Sequence, residues 1–302
     1  MSAAVIQVRE LRKSYGAVEA VRGIDLEVHR QEIFAVLGPN GAGKTTTVEI
    51  LEGYRARNGG EVEVLGTDPA HATPEWRARI GVVLQSCELQ PLLTVRESLD
   101  LYAGYYPSPL AVPEVIDLVG LAEQRDKRAG RLSGGQQRRL DVALALIGDP
   151  ELIFLDEPTT GFDPAARRDA WEMIANLRQL GKAVLLTTHY MEEAQVLADR
   201  AAIIKDGRIV AEGRPGELGG DRRKLSSIRF RLPPGTGADR LPASAGSAAK
   251  VTPDGGVQIT TEAPVTLLTD LLAWARQSGV DLEDLEVRRS SLEDVYLELT
   301  AS

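Results

Sequence analysis

The sequence predicts an α/β fold in two parts, on three observations. Apolar runs of strand length, such as Ile33-Phe34-Ala35-Val36-Leu37 and Leu152-Ile153-Phe154-Leu155, alternate with helix-patterned segments up to about residue 214. A glycine-rich loop, Gly38 to Thr46 (GPNGAGKTT), lies between one such strand and a helix start. Polar and charged residues gather just past the apolar runs, at the edge where α/β sheets meet their ligands. The 302 residues suggest about two domains, and the alternation places them at 1–215 and 216–302.

The glycine loop fits G-x-x-x-x-G-K-[ST], with Gly38, Gly43, Lys44 and Thr45 at the fixed places and Pro39, Asn40, Gly41, Ala42 and Thr46 filling the rest. Glycines let a backbone wrap an anion with its N–H groups inward. The helix that Thr46 to Glu52 can begin adds partial positive charge. Lys44 can reach terminal phosphates, and the Thr45 hydroxyl can hold Mg²⁺.

Two strands precede the loop, at 5–8 and 24–28, and Tyr15 between them could stack on a base, although by itself it reads as a packing tyrosine. A half-buried strand follows at 61–66, and a buried one from Ile80 to Leu84 ends at Gln85, which is placed to touch a ligand. Residues 92–119 are helix-patterned and broken by Pro107-Ser108-Pro109, so a helical segment is expected over about 90–145. In Leu132-Ser133-Gly134-Gly135-Gln136, Ser133 can cap a helix whose Leu140, Ala143, Leu144 and Ile147 share a face. This makes a second helix N-terminus suited to an anion, although an ordinary capped helix reads the same way.

The run Leu152 to Leu155 ends in Asp156-Glu157-Pro158. On an extended segment the two acids point to opposite sides, so Asp156 can serve Mg²⁺ while Glu157 polarises a water. Asp163 and Pro164 open a helix to about Leu180. The next buried strand ends in Thr187-Thr188-His189, where His189 can donate to a phosphate. Asp206-Gly207 signals a hairpin. Beyond Arg214 the alternation stops. Residues 233–247 read as a Pro/Gly/Ala-rich linker, followed by a strand at 257–260 and helices at 265–277 and 291–299 in a small α+β module.

Composition narrows the function classes. Hydrophobic residues are 43% and aromatics 5%, enough for an aliphatic core. The net charge of −9 disfavours a broad nucleic-acid face. The single cysteine, Cys87, excludes an intrachain disulfide and a cysteine zinc site. The opening MSAAVIQVRE holds no signal-type apolar stretch, and no run nears the ~18 apolar residues of a membrane span. Membrane work would therefore need another chain.

Together these motifs resemble the ATP-binding subunit of an ABC transporter over about residues 5–215. GPNGAGKTT is similar to the Walker A loop, LSGGQ to the signature and LIFLDEP to the Walker B strand. Gln85 matches the Q-loop glutamine, His189 the switch histidine, Tyr15 the adenine-stacking position and Asp163 the D-loop aspartate, although Phe162 stands where leucine is commoner. The ending Ser291-Leu-Glu-Asp-Val-Tyr-Leu-Glu-Leu-Thr resembles the drug- and antibiotic-exporting subfamily.

The resemblance implies a P-loop NTPase that hydrolyses ATP with Mg²⁺, using Glu157, His189 and Gln85 in catalysis and Thr45, Asp156 and Gln85 at the metal. It also implies a head-to-tail homodimer in which Ser133, Gly134, Gly135 and Gln136 of one copy face the phosphate loop of the other. A separate integral-membrane permease at the cytoplasmic face is the implied partner, and the polar-then-apolar run Cys87-Glu-Leu-Gln-Pro-Leu-Leu beside Gln85 predicts that the surface from Gln85 to Arg96 docks it. Two alternatives fit less well. A soluble ABC ATPase acting on DNA or ribosomes would need a coiled-coil insert between Lys44 and Leu132, a second nucleotide domain or zinc cysteines. A non-hydrolysing switch does not require the intact set Lys44, Asp156, Glu157 and His189.

Overall fold

The computed structural model describes residues 4–84, 89–218, 226–233, 236–246, 249–251, 256–289 and 296. The chain divides into two compact units, Met1–Pro215 and Gly216–Ser302.

In chain order the first unit runs β1 (Ala4–Tyr15), β2 (Val18–His29), β3 (Ile33–Leu37), α1 (Lys44–Leu51), β4 (Gly59–Val64), α2 (Pro74–Arg77), β5 (Ile80–Val83), α3 (Val95–Ala103), α4 (Val112–Leu118), α5 (Gly134–Leu146), β6 (Leu152–Asp156), α6 (Pro164–Gln179), β7 (Ala183–Thr188), α7 (Met191–Leu197), β8 (Arg200–Lys205) and β9 (Arg208–Gly213). A six-stranded sheet has the order β5-β6-β7-β3-β8-β9. Its strands are parallel except β9, which folds back on β8 through Asp206-Gly207. All five residues of β3 are buried, as expected of a central strand covered on both faces.

A three-stranded antiparallel sheet, β2-β1-β4, faces this one. The first two strands are far longer than the short apolar runs suggested, because β1 is bulged and alternation breaks within it. Glu10 there has φ +48, and its N–H donates to Asp25 Oδ1 at 2.8 Å. One core joins both sheets. Val48, Ile50 and Leu51 of α1 pack with Ile6, Leu11 and Val64 from the antiparallel sheet and Phe34, Phe154 and Leu185 from the parallel one. Each such side chain contributes ~1.5–3 kcal/mol relative to exposure. The phosphate loop leaves directly from this core.

The helical segment forms as patterned, with α3 and α4 on either side of the Pro107-Ser108-Pro109 break. Thr94 caps α3 with a reciprocal Glu97 contact.

The second unit holds β10 (Ser226–Arg231), α8 (Ala243–Gly246), β11 (Ala249–Val251), β12 (Gly256–Thr261), α9 (Pro264–Ser278) and β13 (Glu283–Arg289), in an antiparallel sheet of order β11-β12-β10-β13. Neither β10 nor β13 is among the strands expected from the sequence pattern. The stretch 233–247 follows β10, and Leu241 and Ala245 from it are buried in this unit's own core with Phe230, Ile259 and Leu271. The helix expected at 291–299 lies outside the described residues apart from Tyr296.

Candidate functional site

The phosphate loop needs glycine at two places for steric reasons. A Cβ on Gly38 would sit 2.4 Å from the Ile204 carbonyl oxygen. Gly43 has φ +104, and a Cβ there would sit 2.4 Å from the Ala20 carbonyl oxygen. The loop is thus clamped against β2 and β8. Gly41 also has positive φ, but its surroundings are open.

Helix α1 begins at Lys44 with no side-chain cap and no acid in its first turn, so its leading N–H groups are not taken by a cap. Lys44 is buried, and Nζ donates to the carbonyls of Gly38 (2.8 Å) and Pro39 (3.2 Å). Burial pushes its pKa down, while the charges of Glu157 and Asp156 push it up. Lysine, loop and both acids therefore share one electrostatic environment. Thr45 is exposed at the same helix start.

Asp156 ends β6, and its Oδ1 accepts a short hydrogen bond from the Thr187 hydroxyl at the end of β7. The backbone does not stay extended past it. Glu157 takes the left-handed conformation, φ +44, which costs a residue with a Cβ about 1–3 kcal/mol. Its N–H donates to the Thr187 carbonyl (3.2 Å) and hydroxyl (3.0 Å), which hold the turn. The extended segment expected to carry both acids therefore ends at Asp156, and Glu157 leaves it in a left-handed turn.

The turn brings Glu157 Oε2 within 3.4 Å of His189 Nδ1, and the same oxygen accepts from the Thr160 hydroxyl at 3.1 Å. The pairing of β6 with β7 is what unites Glu157 and His189.

Tyr15 is 41% exposed at the end of β1, with Lys13 Nζ and the Arg55 guanidinium 5.2 and 5.3 Å from its ring centre. Gln85 and Cys87 lie outside the described residues.

Sequence reasoning missed Arg138. On α5, this 7% exposed arginine donates Nε to the Pro158 carbonyl (3.1 Å), a terminal nitrogen to the Asp156 carbonyl (3.0 Å) and another to the Leu84 carbonyl. It binds together the ends of β5 and β6. The only hint in the sequence was an arginine on the buried face of a helix.

Ser133 caps α5 as expected. Its hydroxyl accepts from the Gln136 N–H at 3.3 Å, and the Gln136 side chain accepts from the Ser133 N–H at 3.1 Å. Nothing lies within 4 Å of a Cβ added to Gly134, and at Gly135 only Ala166 Cβ does, at 4.0 Å. Among the described residues, no side chain or neighbouring segment therefore requires these glycines. They border a cleft of about 880 Å³ that Asp163, Phe162 and Gly161 also line and that no residue of 38–46 reaches. The structure thus joins the loop, Asp156, Glu157 and His189 in one place, and Ser133 to Gln136 with Asp163 in another. Asp163 caps α6, accepting from the N–H groups of Ala165 and Ala166, each at 2.9 Å.

Known proteins resemble this chain along its whole length. An ABC transporter profile matches residues 21–160, and a profile for the C-terminal domain of ABC transporter domain-containing protein-like chains matches 226–291. Nod factor export ATP-binding protein I of Cupriavidus pinatubonensis is 38% identical over 98% of this chain and 91% of its own. Daunorubicin resistance ATP-binding protein DrrA3 of Streptomyces coeruleorubidus is 36% identical, over 99% and 97%. A solved dimeric ATP-binding cassette in a post-hydrolysis state, bound to ADP and phosphate, is 25% identical, with a TM-score of 0.62 over 69% of this chain and 98% of that one.

Proposed function

The chain belongs to the ATP-binding subunits of ABC transporters, and on that premise we propose how its residues hydrolyse ATP to drive a separate permease that exports a small molecule. The observation that carries the reading is Glu157 Oε2 at 3.4 Å from His189 Nδ1, on the sheet edge that also holds the phosphate loop.

In this reading the amides of residues 38–46 and Lys44 bind the phosphates, and Tyr15 stacks on the base. The Glu157 carboxylate takes a proton from water as its oxygen attacks the terminal phosphorus and the bond to the ADP oxygen breaks. His189 donates a hydrogen bond to the same phosphate and helps to hold Glu157. Gln85 joins at the metal and reports nucleotide state to the permease.

Thr45 and Asp156 are hard oxygen donors that suit Mg²⁺. No cluster of three acid, His or Cys residues that could hold a metal ion occurs among the described residues. Thr45 and Asp156 would hold the ion, which when bound would supply positive charge to offset that of the phosphates.

The two separate half-sites support a head-to-tail dimer. Gly134 and Gly135 put no side chain over the Ser133-capped N-terminus of α5, so a second copy's ATP can approach it, with Asp163 at the rim of the same cleft. Among the described residues no helix is long and apolar enough to cross a membrane. The chain would therefore attach peripherally to its permease, at the cytoplasmic face. The relatives' names point to an exported drug-like or similar small molecule as cargo, and the net charge of −9 argues against a nucleic-acid partner.

Glu157→Gln tests the reading. The amide keeps the size but cannot take the proton, so turnover should fall ~10²–10⁴-fold. Binding should persist, and size exclusion with ATP and Mg²⁺ should show an accumulated dimer. Parent-rate hydrolysis by this variant would remove Glu157 as the base.

A further inference from the structure

Behind the two catalytic candidates lies a buried carboxylate that the mechanism does not use. Glu193 on α7 is 0% exposed. Its Oε1 accepts from the Thr159 hydroxyl at 2.8 Å and from Trp171 Nε1 at 3.1 Å. Thr159 is also fully buried and stands two residues after Glu157. Trp171 belongs to α6, the helix that Asp163 caps. Glu193 itself follows His189 by four residues, at the first turn of α7. One oxygen atom thus gathers three segments, one carrying the base, one carrying the histidine and one rising from the cleft edge.

The surroundings are unusually polar for so buried a place. Glu193 Oε2 and Arg167 Nε are both buried without a hydrogen-bond partner among the described residues. The Arg167 guanidinium lies 4.3 Å over the Tyr190 ring, whose centre is 4.1 Å from that of His189. The Tyr190 N–H donates to the Thr188 hydroxyl at 2.9 Å, which fixes the turn holding His189. Burial pushes the Glu193 carboxyl pKa up, against the opposing hydrogen bonds it accepts and the charge of Arg167. A buried acid is costly, and an apolar residue would fill the same space more cheaply for stability alone.

We propose that Glu193 is a positioning residue for ATP hydrolysis, its Oε1 holding the Thr159 segment and the α7 turn in register so that Glu157 and His189 stay within reach of each other. The inference rests on the reading that these two residues serve the chemistry. It requires no contact between Glu193 and the nucleotide. Its effect should therefore fall on turnover rather than affinity, since a displacement of the order of 1 Å can cost about 10²-fold in rate.

The test uses the full chain, steady-state ATP hydrolysis and equilibrium titration with a fluorescent ATP analogue. Glu193→Ala should lower kcat roughly 10–100-fold and leave KM and analogue affinity within about twofold. Glu193→Gln keeps the acceptor oxygen and should stay within about threefold of the parent kcat. Thr159→Val and Trp171→Phe each remove one donor, and each should lower kcat by a smaller factor at constant affinity. They carry the test if the alanine variant does not fold. An alanine variant with parent kcat would overturn the proposal, and so would affinity falling in step with kcat or a glutamine variant as impaired as alanine. Unchanged kcat in both donor variants would overturn it as well. A parent chain with no turnover would instead bring down the functional reading on which the inference rests.

Discussion

At the scale of single residues, burial decides which charges the site tolerates. Glu52, 4% exposed at the end of α1, shows the effect most clearly. Burial raises its pKa from 4.5 to about 8, with the charges of Asp156 and Glu49 adding to the shift. The folded state therefore holds the proton more tightly than the unfolded chain. The neutral acid's contribution to stability is complete below about 4.5 and is lost as pH rises through about 8. Glu52→Gln replaces the neutral acid with a neutral amide of similar shape. Its Tm should match the parent within ~1 °C near pH 4 and exceed it by ~3–8 °C near pH 9, read by thermal melts across pH. An equal shift at both ends would show that Glu52 does not titrate in this way.

Secondary elements are tied together at this sheet edge by long side chains from neighbouring helices. Helix α5 is held on the ends of β5 and β6 by Arg138, which supplies donors to three carbonyls and lies 3.7 Å from Asp141. Removing it strands several buried acceptors at once. Arg138→Met should cost ~3–5 kcal/mol in urea unfolding, in the range for breaking a buried charged network. Arg138→Lys should recover less than half of that loss, because one ammonium cannot reproduce the guanidinium fork. A methionine variant of parent stability would show that α5 is held by its apolar face alone.

For the molecule as a whole, each unit has apolar packing of its own. Among the described residues, a cluster in the first unit includes Val5 and Ile204, and a cluster in the second includes Ile228 and Leu271. We propose that residues 1–215 form an ATP-binding domain able to fold alone and that residues 216–302 form an accessory one. A domain of that size buries enough surface to stand by itself. A chain ending at Pro215 should melt cooperatively and bind a fluorescent ATP analogue within about threefold of the full chain, since every nucleotide-binding candidate lies before that point. A truncated chain that aggregates or shows no transition would mean that the second unit is needed for folding.

What the sequence determined by itself is local. The loop Gly38 to Thr46, the Ser133 and Asp163 caps, the Asp206-Gly207 hairpin and the buried strands at 33–37 and 152–155 are written in spacing and turn chemistry. Each depends on residues a few positions apart, so each was legible before any fold was known. The elements that escaped, β10, β13 and the long bulged β1, lack a clean period and are held by cross-strand partners far along the chain. Within the candidate site, the left-handed turn at Glu157 contradicted strand alternation because Thr187, thirty positions later, imposes it. Arg138 meets Leu84 across 54 positions, and Glu193 meets Thr159 across 34. Such contacts leave no periodic trace, since either partner alone reads as an ordinary helical arginine, glutamate or threonine. Only the packing of β6 beside β7, with α5 and α7 across their ends, decided that these residues would surround the two catalytic candidates, because hydrogen bonds form between neighbours in space whatever their distance along the chain.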